Sequence, residues 1–341
     1  MSKAMDSSFS CRRSLDRPIR CRGATLIEVL VSLTIGLIIT AALAGLVVAS
    51  NGARIEFERN ADTIENGRYA VSVLQKDLSQ AGFYDLVVTS TGTSNDACSV
   101  SVTDWASSLA VHVMGWNNTA LHPACLPGRK AGTDAIFIQR ASTCAVSAAD
   151  GTGLSGCPDE KPLSASQAYL QTSECTDEAL ASPFVLAKGD SGDTVFKLVR
   201  KSCVLTERTP LRRLIRRVFY VNDLDQLSYV DVTLGGAATP VVLAEGIEQV
   251  QFSYALDTNL DGSPDSFVAS PLAADWPNVV GVKVWILARS ASQGPKMSDS
   301  ADSVYQMDDT TVDVDGATAQ FRRRLYESYI AFVTPAIRRG S

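Results

Sequence analysis

Arg22-Gly23-Ala24-Thr25-Leu26-Ile27-Glu28, followed by VLVSLTIGLIITAALAGLVVASNGA at residues 29–53, is the stretch on which the fold turns. Those 25 positions carry no charge, and a bilayer needs about 20 residues of helix, so the run is long enough to span one. A cleaved secretory signal has an apolar region of about 7–15 residues, shorter than this one. Glu28 is out of place at the edge of a span, where a carboxylate without a partner is costly. Ahead of it, residues 1–23 hold six basic groups (Lys3, Arg12, Arg13, Arg17, Arg20, Arg22) against Asp6 and Asp16, a charge of +4. The chain as a whole is −6, which leaves −10 on residues 24–341. A basic head before an uncharged apolar run is a membrane-targeting arrangement, with the basic end on the cytoplasmic side.

Over 341 residues, 45% are hydrophobic and 20% charged, enough to exclude a wholly disordered chain. The acidic balance does not suit nucleic acid as a partner. Two histidines, His112 and His122, leave little for His-based metal clusters or catalysis.

Residues 22–28 resemble the processing site of type IV prepilins. In that family a dedicated peptidase cuts after the glycine and the new first residue is N-methylated. The resemblance implies cleavage after Gly23, methylation of Ala24, where most members carry Phe, and an assembly role for Glu28 at the fifth mature position. Buried among bundled helices, that carboxylate would need a cation, and the α-amino group of a neighbouring subunit could serve.

Beyond Arg54 the sequence becomes amphipathic. Ile64, Val71, Leu74 and Leu78 are spaced by 7, 3 and 4, one face of a helix. Ala81-Gly82 is the expected stop. One helix over residues 24–80 would be about 85 Å long, with residues 24–53 in the membrane or pilus core and residues 54–80 on a globular head.

The head, residues 81–341, holds Cys98, Cys125, Cys144, Cys157, Cys175 and Cys203, while Cys11 and Cys21 lie in the leader. An even number beyond the membrane predicts up to three disulfides with the pairing open. No CxxC occurs, so neither a zinc ribbon nor a thioredoxin-type pair is indicated. Residues 98–203 read as a loop-rich, disulfide-stapled insertion with short strands at 134–138 and 194–199. A cleaner β pattern occupies about 218–333, with strands at 218–221, 227–232, 247–254, 279–288 and 326–333. The expected class is α+β, a long helix packed on an antiparallel sheet.

Within the pilins, the chain resembles the minor pilin family PilW. The resemblance rests on Leu78-Ser-Gln-Ala-Gly-Phe-Tyr, Glu245-Gly-Ile-Glu-Gln-Val-Gln-Phe-Ser-Tyr, the Asp-rich loop after it, Val282-Lys-Val-Trp-Ile-Leu-Ala-Arg-Ser and Arg322-Arg-Arg-Leu-Tyr-Glu. It implies a non-enzymatic subunit anchored in the inner membrane with a periplasmic head, later placed in the pilus at the cell surface, at its tip. Its partners would be the prepilin peptidase, other minor pilins, the major pilin and a tip adhesin. The minor pseudopilins of type II secretion share the layout and are the alternative. A membrane-anchored calcium-dependent binding domain or periplasmic enzyme is a third reading, and no Walker A, GxSxG or HExxH motif favours an enzyme.

Asp257, Asn259, Asp261 and Asp265 stand at positions 1, 3, 5 and 9 of a loop with Gly262 at 6, where Ser263 could add its carbonyl. That is the first part of a calcium loop, and Val268 stands where an EF-hand has Glu. Calcium is the cofactor expectation here, against a plain acidic turn. Gly151-Thr-Gly-Leu-Ser-Gly156 matches GxGxxG without a strand before it and reads as a loop. Arg212, Arg213, Arg216, Arg217 and the 322–324 triplet read as a solvated face or as partners for acidic groups. Asn117-Asn-Thr fits a glycosylation sequon.

Overall fold

Residues 26–78 contain no proline, so nothing in the covalent chain interrupts a helix between the apolar run and the amphipathic one. In the computed structural model, described over residues 25–87, 96–118, 123–148, 163–176, 183–294, 304–314 and 318–335, they form one helix, α1 (Leu26–Leu78). The Thr25 hydroxyl caps its start, accepting from the Glu28 amide at 3.3 Å. α1 ends at Leu78, and a turn through Gly82 follows, whose φ of +76° suits glycine. The leader lies outside the described residues.

The chain divides into two units, residues 1–55 and 56–341. The described part of the first, residues 25–55, is the N-terminal stretch of α1 with Thr25 ahead of it, all of it exposed, and α1 is long and apolar enough to cross a membrane.

The second unit is antiparallel throughout. Strands β1 (Val113–Trp116), β2 (Ala135–Ala141), β3 (Ala168–Thr172), β4 (Phe184–Lys188), β5 (Leu211–Val221), β6 (Gln226–Thr233), β7 (Gly236–Ala237) and β8 (Val241–Glu245) make an eight-stranded sheet. The second sheet joins β9 (Ile247–Leu256), β10 (Ser266–Val268), β11 (Val279–Arg289) and, after the hairpin β12 (Val304–Met307) and β13 (Thr310–Asp313), β14 (Arg323–Ala331), in the order β10-β9-β11-β14. A short helix, α2 (Val102–Ser107), precedes β1.

The main core draws Ala70, Leu74 and Leu78 of α1 together with Ile136, Ile138 and Phe219 of the first sheet and Val250, Phe252, Val282, Val284 and Ile286 of the second. Both sheets therefore pack on the same stretch of helix, as an α+β layer arrangement requires. The buried seam of α1 is Thr63, Gly67, Ala70, Leu74, Asp77 and Leu78. Ile64 and Val71, expected in the seam, are only half-buried. The reason is Tyr326 of β14, whose ring occupies the space a Cβ at position 67 would take, 2.2 Å from its Cε2, while its hydroxyl donates to the Ile64 carbonyl at 3.2 Å. A small residue is needed on the seam, and the larger ones flank it. Gly67→Val should therefore destabilise the head by about 1–3 kcal/mol through overpacking, despite removing a poor helix former; a denaturant melt at or above wild-type stability contradicts this contact.

Three sequence expectations change. The region 98–203 is not a separate insertion, because β1–β4 lie within it and share a sheet with β5–β8. Residues 194–199 form a turn and a single bridge from Val199 to Arg208 rather than a strand. There the Gln171 side chain replaces a ladder, with its oxygen accepting from Leu198 N at 3.1 Å and its amide donating to the Leu198 carbonyl at 3.2 Å. The 212–217 arginines belong to β5, which starts at Leu211, seven residues before the expected strand.

Candidate functional site

The Glu28 side chain sits in the first turn of α1 and is exposed. Its neighbourhood is local: the Ser32 hydroxyl donates to the Glu28 carbonyl at 2.7 Å. Thr25 and Glu28 also have the spacing of a capping box, a signal the sequence reading missed. Gly23 and Ala24 lie outside the described residues.

Where the C-terminal half of α1 meets the sheets, the sole buried carboxylate of the helix is Asp77, which is 8% exposed. Arg140 of β2 donates to its Oδ1 at 2.7 Å and Arg217 of β5 to its Oδ2 at 2.6 Å. Arg217 also grips Asp231 of β6 with both edges of its guanidinium, at 2.7 and 2.9 Å, and lies over the Tyr229 ring at 3.7 Å. Burial works against the charge of Arg217, but its hydrogen bonds to Asp231 and the nearby Asp77 outweigh that and raise its pKa. One helix and three strands are thus tied by charge-assisted bonds. Arg216 points the other way along β5, 1% exposed. It is sandwiched between the Trp105 and Phe137 rings at 4.8 and 4.9 Å, and donates to the Gln139 side chain and the Asp96 carbonyl. Of the two readings of the β5 arginines, partnership with acidic groups holds for Arg217 and for Arg212, which meets Asp85 at 3.3 Å, while Arg216 is buried between aromatic rings rather than solvated.

Asp134, before β2, is 2% exposed. Burial pushes its carboxyl up to about 7, against the amides of Phe252 and Asn118 and the charge of Arg129, which pull it down. A carboxyl raised in the fold favours folding fully below its unfolded value of 3.8, and that contribution is lost as pH rises through about 7. Stability should therefore decline across that window for this group, and Asp134→Asn should flatten the slope of stability against pH there. An unchanged slope in the variant refutes the assignment.

The Asp-rich loop between β9 and β10 closes on itself. Asp257, fully buried, accepts from Asp261 N at 3.1 Å with one oxygen and from Gly262 N at 3.0 Å with the other. Asp265 accepts from the amide and hydroxyl of Thr258, both at 2.7 Å, and these bonds hold its carboxyl below the usual range. Asp261 accepts from Ser263 N at 2.7 Å and from the Asn259 side chain at 3.1 Å. Leu260 and Gly262 take φ of 65° and 87°, the backbone of a tight turn. Among the described residues no group of three or more His, Cys, Asp and Glu is placed to hold a metal ion. The residues named for calcium are thus adjacent, but their oxygens are turned onto the loop's own amides rather than toward a common point. A calcium titration of the melting temperature separates a plain turn, which gives no shift, from a weak cation site, which raises it.

All five described head cysteines are disulfide-bonded. Cys98 pairs with Cys125 and Cys175 with Cys203, with Cα atoms 5.6 and 5.2 Å apart. Cys144 is also bonded, and Cys157 lies outside the described residues, as do His122, Thr119 of the sequon and the 151–156 glycine motif. The Cys98–Cys125 and Cys175–Cys203 bridges close spans of 27 and 28 residues, and each should stabilise the head by about 2–4 kcal/mol. Thiol titration of unfolded, unreduced protein should find none of these five; five reactive thiols would refute the bonding. His112 is a core residue, 4% exposed, with its ring against the Val279 carbonyl at 2.9 Å and the Phe332 ring at 5.6 Å.

Comparison with known families gives two matches. Residues 19–44, which carry Gly23, Ala24 and Glu28 into the first turns of α1, match the prokaryotic N-terminal methylation motif. Residues 216–333, from the second half of β5 through β14, match the Type IV Pilus-assembly protein W family, PilW. Neither the curated proteins nor the solved structures gave a match. The start of this chain is thus similar to that of type IV pilins, and the second half of its antiparallel head is similar to the type IV pilus-assembly protein PilW.

Proposed function

We propose that this protein is a structural subunit of a tip or priming complex that starts assembly of a type IV pilus. The observation that carries the reading is the register of Gly23 and Glu28 immediately before an apolar helix, inside the methylation-motif match, on a chain whose head matches PilW. In this reading the peptidase removes residues 1–23 at the inner membrane and Ala24 is methylated. The apolar half of α1 holds the subunit in the bilayer with its head in the periplasm. Extraction into the pilus then moves an exposed apolar helix from lipid to the helices of other minor pilins and the major pilin. Glu28 joins that bundle only if its charge is met, and the α-amino group of a neighbour supplies the counter-charge. The pilin family is structural rather than catalytic, and the buried Asp77 and Arg140 with the half-buried Arg217 and Asp231 are spent on holding helix to head. Twitching, adhesion or DNA uptake would depend on the subunit through the pilus.

The test is a deletion strain assayed side by side for surface pili, twitching and type II secretion, with complementation by the full gene. Loss of pili and twitching with secretion intact is expected. Loss of secretion with pili intact would move the protein to a secretion pseudopilus.

A further inference from the structure

We propose that the disulfide-pinned loop at residues 197–208 is a docking surface for an anionic lipid bilayer, taking phosphate headgroups into a small basic cleft while its aliphatic tip enters the interface. The loop precedes the PilW match at 216–333 and makes no contribution to the helix–head network.

Its backbone is a closed turn. Arg200 N donates to the Glu207 carbonyl, Cys203 N to Arg200 and Glu207 N to Val204, each at 2.9 Å, and Val199 bridges Arg208. The Cys175–Cys203 bond ties it to the segment after β3. A rigid loop loses little conformational entropy on docking, which favours binding.

On this frame stand Lys197, Arg200, Lys201 and Arg208 against the single acid Glu207, on a chain that is −6 overall. Arg200 donates to the Arg208 carbonyl at 3.2 Å and Arg208 to the Lys197 carbonyl, so backbone oxygens orient both guanidiniums. Among the described residues, none of the four cations forms a salt bridge with a carboxylate. Glu207 is held by the Ser202 hydroxyl at 2.5 Å. Arg200, Arg208, Ser147 and Thr206 line a cleft of about 420 Å³, with Glu207 also on its wall. Two guanidinium forks and two hydroxyls are suited to a phosphate.

Beside the cleft, Val204 and Leu205 are 46% and 73% exposed. Exposed aliphatic side chains in a loop that also carries four cations match an interface where acyl chains lie under charged headgroups. Nucleic acid is the weaker fit: residues 197–208 include no aromatic on which a base could stack.

The test uses the full chain, anchored by its own helix in phosphatidylcholine nanodiscs, and measures capture of fluorescent vesicles of phosphatidylcholine with and without phosphatidylglycerol. Capture of the anionic vesicles alone, weakening with salt, is expected. Lys201→Ala and Arg200→Ala should each lower it by about fivefold, and Leu205→Ser should lower it without changing the salt dependence. Lys201 and Leu205 are exposed, so these variants should keep the wild-type melting temperature. Equal capture of both vesicle types overturns the proposal, as does capture indifferent to Lys201→Ala and Leu205→Ser. Complete displacement by millimolar inorganic phosphate with Leu205→Ser silent would reduce the loop to a free-anion site and overturn the lipid assignment. Binding of single-stranded DNA through the same cations, without vesicle capture, overturns it too.

Discussion

A variant with Gly23 replaced by a bulky residue should accumulate as an unprocessed precursor in the inner membrane and contribute nothing to pili. Its apolar helix still inserts, because residues 29–53 carry no charge and insertion depends on that run. What is lost is the cut that removes the leader charge of +4 and frees an α-amino group at Ala24. An uncut leader keeps its basic residues in the cytoplasm, where they oppose extraction of the helix into the pilus. Mass spectrometry of wild type from its own host should find N-methylated Ala24 as the first residue. Retention of Met1, or cleavage near Ala53, would refute the processing reading. Glu28→Ala separates the two steps: it should be processed normally and incorporated poorly, and full incorporation would refute the proposed pairing with a neighbour's amine.

Asp77→Ala should cost the head about 3–5 kcal/mol, the range for breaking a buried ion pair from one side. The side chains of Asp77, Arg140 and Arg217 are 12%, 11% and 17% exposed, so removing the carboxylate leaves Arg140 with an uncompensated charge in a poorly hydrated place. Arg217 keeps Asp231 and is harmed less. Asp77→Leu combined with Arg140→Leu should recover much of the loss, since the cost lies in the orphaned charge rather than in the missing attraction. Denaturant melts of the single and double variants check both statements. A cost below about 1 kcal/mol for Asp77→Ala, as for a surface pair, would show that the network does not hold helix to sheets.

Local pattern and composition determined a good deal of this protein. An uncharged apolar run is a helix in any context that excludes water, because only a helix satisfies its own backbone there, and so α1 was legible to within two residues of its end. Strands β9 and β11 were legible because β-branched and aromatic residues crowd into 247–256 and 279–289. An even number of cysteines in the head signalled bonding, and the structure supplied the partners of four of them. Position by position, however, side-chain type did not say which neighbour would arrive. Tertiary packing decided that Gly67 rather than Ile64 lies on the buried seam, because Tyr326 comes from 259 residues away to fill the space. It decided that Arg216 is interior and Arg217 half-buried, since Trp105, Phe137, Asp77 and Asp231 surround them only after β2, β5, β6, α1 and α2 have met. It turned the Asp-rich loop onto its own amides, a choice a spacing of oxygens cannot make, because the same Asp, Asn and Gly residues suit both a cation and a tight turn. Periodicity records the chain's local energetics; burial of charge and of glycine depends on contacts between separate elements, from 63 residues apart for Asp77 and Arg140 to 140 for Asp77 and Arg217, which the sequence encodes only through the completed fold.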